Sequence, residues 1–311
     1  MISIIYALIP VLLVILLGLL LKRSQLIDAS HWTGVENLCY YVLFPALLIK
    51  TLSTAKLGSA EVLAFSGMVL FAIFAMSGLM LAIYPLLRRY LGISPAAFTS
   101  LFQGAIRWHG FIALSIVGFL LGEEAIVYMA ITMAVIIPPL NVISVLVLAS
   151  YVGGKNNLQG VMLKLLRNPF IIACVVGALL NLSGLGLPDP FYAVFDMLGS
   201  GALGLGLLVV GAGLVFSKVR DHRGMVMVGS AIRLLGMPML MFAGAWLFGI
   251  DGMPRTVAVI AGAVPTAASA YVLARQMGGD AELMANLITV QVVLSVLTLP
   301  LMIWLAQGGL G

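Results

Sequence analysis

The segment Gln103-Gly104-Ala105-Ile106-Arg107-Trp108-His109-Gly110 puts a guanidinium and an imidazole two residues apart inside a long apolar run. A charge at membrane depth costs roughly 2.5–3.5 kcal/mol on insertion scales. It persists where it lines a cavity or meets a partner, so Arg107 is the first candidate for chemistry. Two roles are open for it: a forked contact to a carboxylate substrate, or a structural ion pair with Asp196, the nearest intramembrane acid. His109 is a hydrogen-bonding core residue, a substrate contact or a proton carrier. A second irregular stretch, Gly262-Ala263-Val264-Pro265-Thr266-Ala267-Ala268-Ser269, carries a proline that removes a backbone donor. Its plain reading is a helix kink. Its functional reading is an unwound crossing framed by Gly104, Gly110, Pro265, Thr266 and Ser269, because unwound backbone survives at this depth only where protein or a cavity covers it. Asn141, beside Pro138-Pro139, and Gln291, with Thr289 nearby, are further polar candidates; each either contacts substrate or cross-links helices.

The elements that must hold these residues follow from composition. Of 311 residues, 62% are hydrophobic and 9% charged, and mean hydropathy is +1.18. Soluble domains carry about 25% charged residues, so the chain reads as a polytopic helical membrane protein. Continuous apolar runs exclude the alternation of a β-barrel. The net charge of +5 contains no basic run, which argues against nucleic acid as a partner. Cys39 and Cys174 fall in apolar runs and read as packing residues, with no metal site. The stretch from Ile2 to Leu21 lacks a basic start and a cleavage site, so it reads as a retained first helix.

Ten spans are expected, at 2–21, 34–53, 62–87, 95–121, 124–151, 168–184, 190–216, 225–248, 254–276 and 282–306. Residues 157–167 read as a basic connector or interfacial helix. Loops after odd spans hold Lys22, Arg23, Arg88, Arg89, Lys155, Lys164, Arg167, Lys218, Arg220, Arg223 and Arg275; the other side holds Lys50, Lys56 and Arg255. The positive-inside rule then places both termini outside the cytoplasmic (inner) membrane. Arg233, about two turns from the cytoplasmic end of its span, is expected to snorkel there. Tyr6, Tyr40 and Tyr41 read as interface or packing aromatics.

The two halves resemble one another. Gly104-Ala105-Ile106 aligns with Gly262-Ala263-Val264; with one gap, Gly122-Glu123 aligns with Gly279-Asp280 and Ala130-Ile131-Thr132 with Leu287-Ile288-Thr289. Five spans per copy force the copies into opposite senses, an inverted repeat of the kind common in secondary transporters. The expected division is 1–152, a connector at 153–167, and 168–311. Spans 4 and 9, the two interrupted ones, would cross with helix N-termini facing an anion.

Phe44-Pro45-Ala46-Leu47-Leu48, Asn168-Pro169-Phe170, the Gly199–Gly213 stretch, Pro265-Thr266-Ala267-Ala268-Ser269-Ala270-Tyr271, Gly278-Gly279-Asp280 and Thr298-Leu299-Pro300 together resemble the auxin efflux carrier family, within the bile/arsenite/riboflavin transporter superfamily. The resemblance implies a ten-helix fold of two inverted repeats. Helices 1, 2, 6 and 7 would form a scaffold and helices 3–5 and 8–10 a transport domain. It also implies an organic-anion substrate, such as indole acetate or a dicarboxylate, at crossed helices 4 and 9. The family's helix 4 typically has an Asn, often followed by Gly-x-Pro. Here His109 stands at that Asn, and Ala113-Leu114-Ser115 lacks the Pro, which makes Arg107 the natural carboxylate contact.

The leading expectation is therefore a secondary transporter of a mono- or dicarboxylate by alternating access. A coupling proton or an exchanged anion, the lipid bilayer and a homodimer are its expected partners. A passive channel or a membrane sensor of a small organic solute is the alternative; a carrier saturates and shows counterflow, whereas a channel need not. No cofactor is expected, and no phosphate-binding Gly-x-x-x-x-Gly-Lys-Ser/Thr loop is present. An enzyme is not expected, for no Gly-x-Ser-Gly, His-Glu-x-x-His or membrane Asp pair occurs, and His31 and His222 read as loop residues.

Overall fold

The computed structural model describes residues 2–55, 59–153, 163, 166–214 and 223–308. Most of the connector, with Lys56, Lys155, Lys164, Lys218, Arg220 and His222, lies outside the described residues.

The regular elements among the described residues are all helical. They are α1 (Ile2–Arg23), α2 (Ala29–Leu38), a π turn (Cys39–Leu43), α3 (Phe44–Ser53), α4 (Ala60–Leu91), α5 (Pro95–Ile106), α6 (Gly110–Leu121) and α7 (Glu123–Val152). Then follow α8 (Pro169–Leu182), α9 (Asp189–Gly213), α10 (Arg223–Ala231), a second π turn (Ile232–Gly236), α11 (Met237–Phe248), α12 (Gly252–Ala263), α13 (Ser269–Met277) and α14 (Ala281–Ala306). His31 sits exposed within α2 rather than in a loop.

Local chemistry sets the boundaries. Ser59 Oγ accepts from Val62 N and Ser94 Oγ from Ala97 N. Asn168 Oδ1 accepts from Phe170 N and Ile171 N, and Asp280 Oδ1 accepts from Leu283 N. Each satisfies amide donors that a helix start leaves open. Pro95 and Pro169 follow their caps, where a missing N–H costs nothing. Gly92, Gly153, Gly249 and Gly278 end their helices in the left-handed region, at φ of 60–81°.

Among the described residues, eight helical stretches are long and apolar enough to cross a membrane, with α5 and α6 together as one of them. Two expected spans fall short of that. The sixth is α8, of 14 residues, about 21 Å against a hydrocarbon core of about 30 Å. The ninth is split into α12 and α13 by irregular chain at Val264–Ala268.

Helix α1 runs along α9, and α3 packs on α8 and α9. On the other side α4 packs on α11, α11 on α12, α12 on α14, and α14 on α5. The glycines of α9 explain the first group. A Cβ on Gly211 would collide with the Ile15 carbonyl oxygen, and one on Gly206 would come 2.7 Å from the Phe44 ring. Small residues thus let these backbones approach, the usual means of membrane helix packing. Gly199 and Gly206 face α3 and Gly211 faces α1.

Candidate functional site

Both interrupted spans break in the same way. Helix α5 ends on Arg107, extended at φ −75°, ψ 148°; α12 ends on Val264, extended at φ −70°, ψ 150°. The chain then restarts at Gly110 and at Ser269. The end of α5 meets the irregular stretch that follows α12, and hydrogen bonds stitch them. Thr266 Oγ1 donates to Gly104 O at 2.7 Å, Gln291 Nε2 donates to the same oxygen at 3.3 Å, and Gln291 Oε1 accepts from Thr266 N at 2.9 Å. These bonds take up one carbonyl and one amide that the broken helices leave open.

Beside the crossing lies a cavity of about 270 Å³. Its lining includes Arg107, His109, Gly110, Asn141 and Ser269 from the sequence candidates. Gly104, Pro265, Thr266 and Gln291 do not line it; they belong to the crossing beneath. The candidates thus divide into cavity wall and support. The sequence pointed to neither Trp108, Phe111, Ala267 and Ala268 nor Tyr40, Glu36 and Phe170 as wall residues. Phe170 lies in the Asn168-Pro169-Phe170 motif and Trp108 in the motif of Arg107, so their positions carried a signal; Tyr40 and Glu36 had none.

Arg107 is 6% exposed, and among the described residues its head group meets only neutral acceptors. Nη2 donates to Asn141 Oδ1 at 2.6 Å, Nη1 to Ser269 Oγ at 3.0 Å, and Nε to Ser144 Oγ at 3.4 Å. Asn141 is itself fixed, donating from Nδ2 to Ile137 O at 2.9 Å. The alternative pair with Asp196 does not form. Asp196 Oδ1 instead lies 2.6 Å from Lys50 Nζ, which also reaches Glu123 Oε1 at 3.3 Å. The reason is distance along α9: Val209 and Val210 of that helix face the cavity, and Asp196 lies about 20 Å earlier at 1.5 Å per residue. Arg233 does not snorkel either. It is 0% exposed and turned inward, donating to Val264 O, Ala261 O and Ala105 O.

The cavity also faces the starts of α6, at Gly110 and Phe111, and α13, at Ser269. Helix N-termini carry positive dipole ends and free amides. His109 Nδ1 is buried without a hydrogen-bond partner. The apolar walls are Met133, Ile137, Leu140, Ile288 and Val292, with Phe111 stacked on Phe44 at 4.3 Å between centroids. Tyr40 hydroxyl accepts from Asn168 Nδ2 at 3.2 Å. Tyr6 and Tyr41, by contrast, are exposed on the outer surface. Cys39 and Cys174 are free and buried.

A family model described as membrane transport protein matches residues 3–303, nearly the whole chain. The chain belongs to this family of auxin-efflux-carrier-like membrane transporters. It is a multi-pass membrane transporter, and its family consists of transporters rather than enzymes. It is similar to a protein of Methanothermobacter thermautotrophicus named an uncharacterized transporter. The two are 24% identical over 298 residues, covering 94% of each.

Proposed function

We propose that this transporter carries small organic anions, mono- or dicarboxylates, across the cytoplasmic membrane by alternating access. One observation carries the reading: the Arg107 guanidinium stands in the wall of the cavity with neutral partners only. A cation without a paired acid leaves its charge available to a ligand carboxylate, which the fork matches in geometry. The starts of α6 and α13 add positive dipole ends at the same place. Arg107 is the one cationic side chain among the described lining residues, and this favours a single carboxylate held at that end. Gly110, Ser269, Asn141 and His109 frame the anion, while Gly104, Pro265, Thr266 and Gln291 hold the crossing. The volume, about 270 Å³, lies just below the range of about 300–1,000 Å³ common for ligand cavities.

Two inverted five-helix repeats, making ten spans, are the architecture we assign to this cycle. In support, α5 and α12 are each 12 residues long. Their starts, Pro95 and Gly252, and their ends, Ile106 and Ala263, stand at the same interval along the chain. This pairs Ile106 with Ala263, one residue from the alignment read in the sequence. The packing of α1, α3, α8 and α9 on one another supports their role as scaffold, against which the remaining helices move. The cavity reaches Glu36, Asn168 and Leu214, near the ends that adjoin the basic Lys22-Arg23 loop. We assign that face to the cytoplasm and both termini to the outside.

Thermal unfolding of purified protein with a panel of carboxylates tests the proposal. A ligand that binds the folded state raises Tm by mass action. A carboxylate should stabilise the native protein and leave a folded Arg107→Ala unchanged. Equal stabilisation of both proteins would remove Arg107 from the site. Stabilisation by cations or neutral amino acids alone would end the anion assignment.

A further inference from the structure

Arg233 is the largest fully buried side chain among the described residues. It lies in the second π turn, Ile232–Gly236, and does not line the cavity. Its Nε donates to Val264 O at 2.8 Å, Nη2 to Ala261 O at 2.9 Å and Nη1 to Ala105 O at 3.3 Å. No carboxylate pairs with it among the described residues. Its charge is therefore met by carbonyl dipoles alone.

Those dipoles are ordered. Ala105 is in the last turn of α5, Ala261 is in the last turn of α12, and Val264 is the residue that ends α12. Each helix C-terminus carries roughly half a negative charge, so two meeting ends present about one. One guanidinium neutralises them. In transporters built on interrupted helices, such half-helix carbonyl ends are where a coupling sodium ion or proton is held. Here a covalently attached cation already stands on them.

We propose that Arg233 is a resident counter-cation at the crossing, seated on the carbonyls a coupling sodium ion would use, so that the transport cycle needs no sodium there. A tethered guanidinium cannot leave with the substrate, and it keeps its proton in proteins. It neutralises the crossing in every state of the cycle without drawing on an ion gradient. The inference uses the transporter family and the geometry of Arg233. It does not use the anion role of Arg107, and its test involves no substrate.

The test is thermal unfolding of the purified full-length protein in sodium chloride titrated against choline chloride at constant ionic strength. Wild type should show no sodium-dependent change in Tm. Arg233→Ala removes the donor from three buried carbonyls and should unfold at lower temperature. Sodium should then raise its Tm saturably, by roughly 5 °C, through binding to the vacated oxygens. Arg233→Lys keeps a cation there and should remain insensitive to sodium. A saturable rise in wild type overturns the proposal. So does an alanine variant that ignores sodium. If the alanine variant does not fold, Arg233→Gln takes its place with the same expectation, and the wild-type titration still decides.

Discussion

At the scale of the residue, the ligand-binding role proposed for Arg107 can be separated from a structural one. Burying a cation among neutral partners is costly, and replacing buried charge by apolar groups of similar volume is often neutral or stabilising. Arg107→Met should therefore match or exceed wild type in ligand-free Tm while losing the response to carboxylates; a marked drop in ligand-free Tm would mean that the guanidinium is structural. Hydrogen bonds to charged groups contribute about 1.5–3 kcal/mol, equivalent to roughly ten- to hundredfold in affinity. Arg107→Lys keeps the charge but loses the fork, so its carboxylate affinity should fall between those of wild type and Arg107→Met, as read by titration calorimetry. Arg107 itself was legible in the sequence, because a lone charge in an apolar run is conspicuous. Its partners were not. Asp196 was the obvious acid by composition, yet its place along α9 puts it with Lys50. Ser144, at 3.4 Å from Nε, is an ordinary helix residue that no motif marks.

At the scale of the element, the two breaks are held by three side chains: Thr266 within the second break, Gln291 on α14 and Arg233 in a π turn. Thr266→Val keeps the shape and removes the donor to Gly104 O, leaving Gln291 Nε2 as its remaining side-chain donor. The expected loss is about 1 kcal/mol, or a fall in Tm of a few degrees. Gln291→Leu combined with it should depart from additivity, since the two share one oxygen. A strictly additive double variant would show that the crossing is not one network. The sequence displayed the breaks through Gly104, Gly110 and Pro265, whose backbone chemistry is local. It did not display the Arg233 contact. Hydropathy reports depth along a span and is silent on rotation about the helix axis, and the π turn at Ile232–Gly236 adds a change of register that no periodicity predicts.

At the scale of the whole molecule, the cavity reaches the ends of α8 and α9 on one face, while the opposite face is tied by Lys50. That side chain joins α3 to Glu123 at the start of α7 and to Asp196 on α9. On the proposed cycle α3 and α9 belong to the scaffold and α7 to the moving part, so the Lys50–Glu123 contact must break for the cavity to open outward. Glu123 is 85% exposed and Asp196 54%, and exposed pairs contribute about 0.2–1 kcal/mol each. A latch of that strength can open in every cycle, yet its loss should change populations measurably. Ala268 lines the cavity and is exposed, whereas the native Cys39 and Cys174 are buried. With Cys39 and Cys174 replaced by alanine, Ala268→Cys becomes a single reporter for an impermeant maleimide applied to vesicles of known sidedness. In the otherwise native protein it should react from the cytoplasmic face and stay protected from outside. Adding Lys50→Ala should raise the outside rate, by up to roughly fivefold for a loss near 1 kcal/mol. The charge pattern and the cavity meet in this measurement. Reaction from the outer face alone would reverse the assigned orientation. An outside rate unchanged by Lys50→Ala would show that the ion pairs do not hold that face shut.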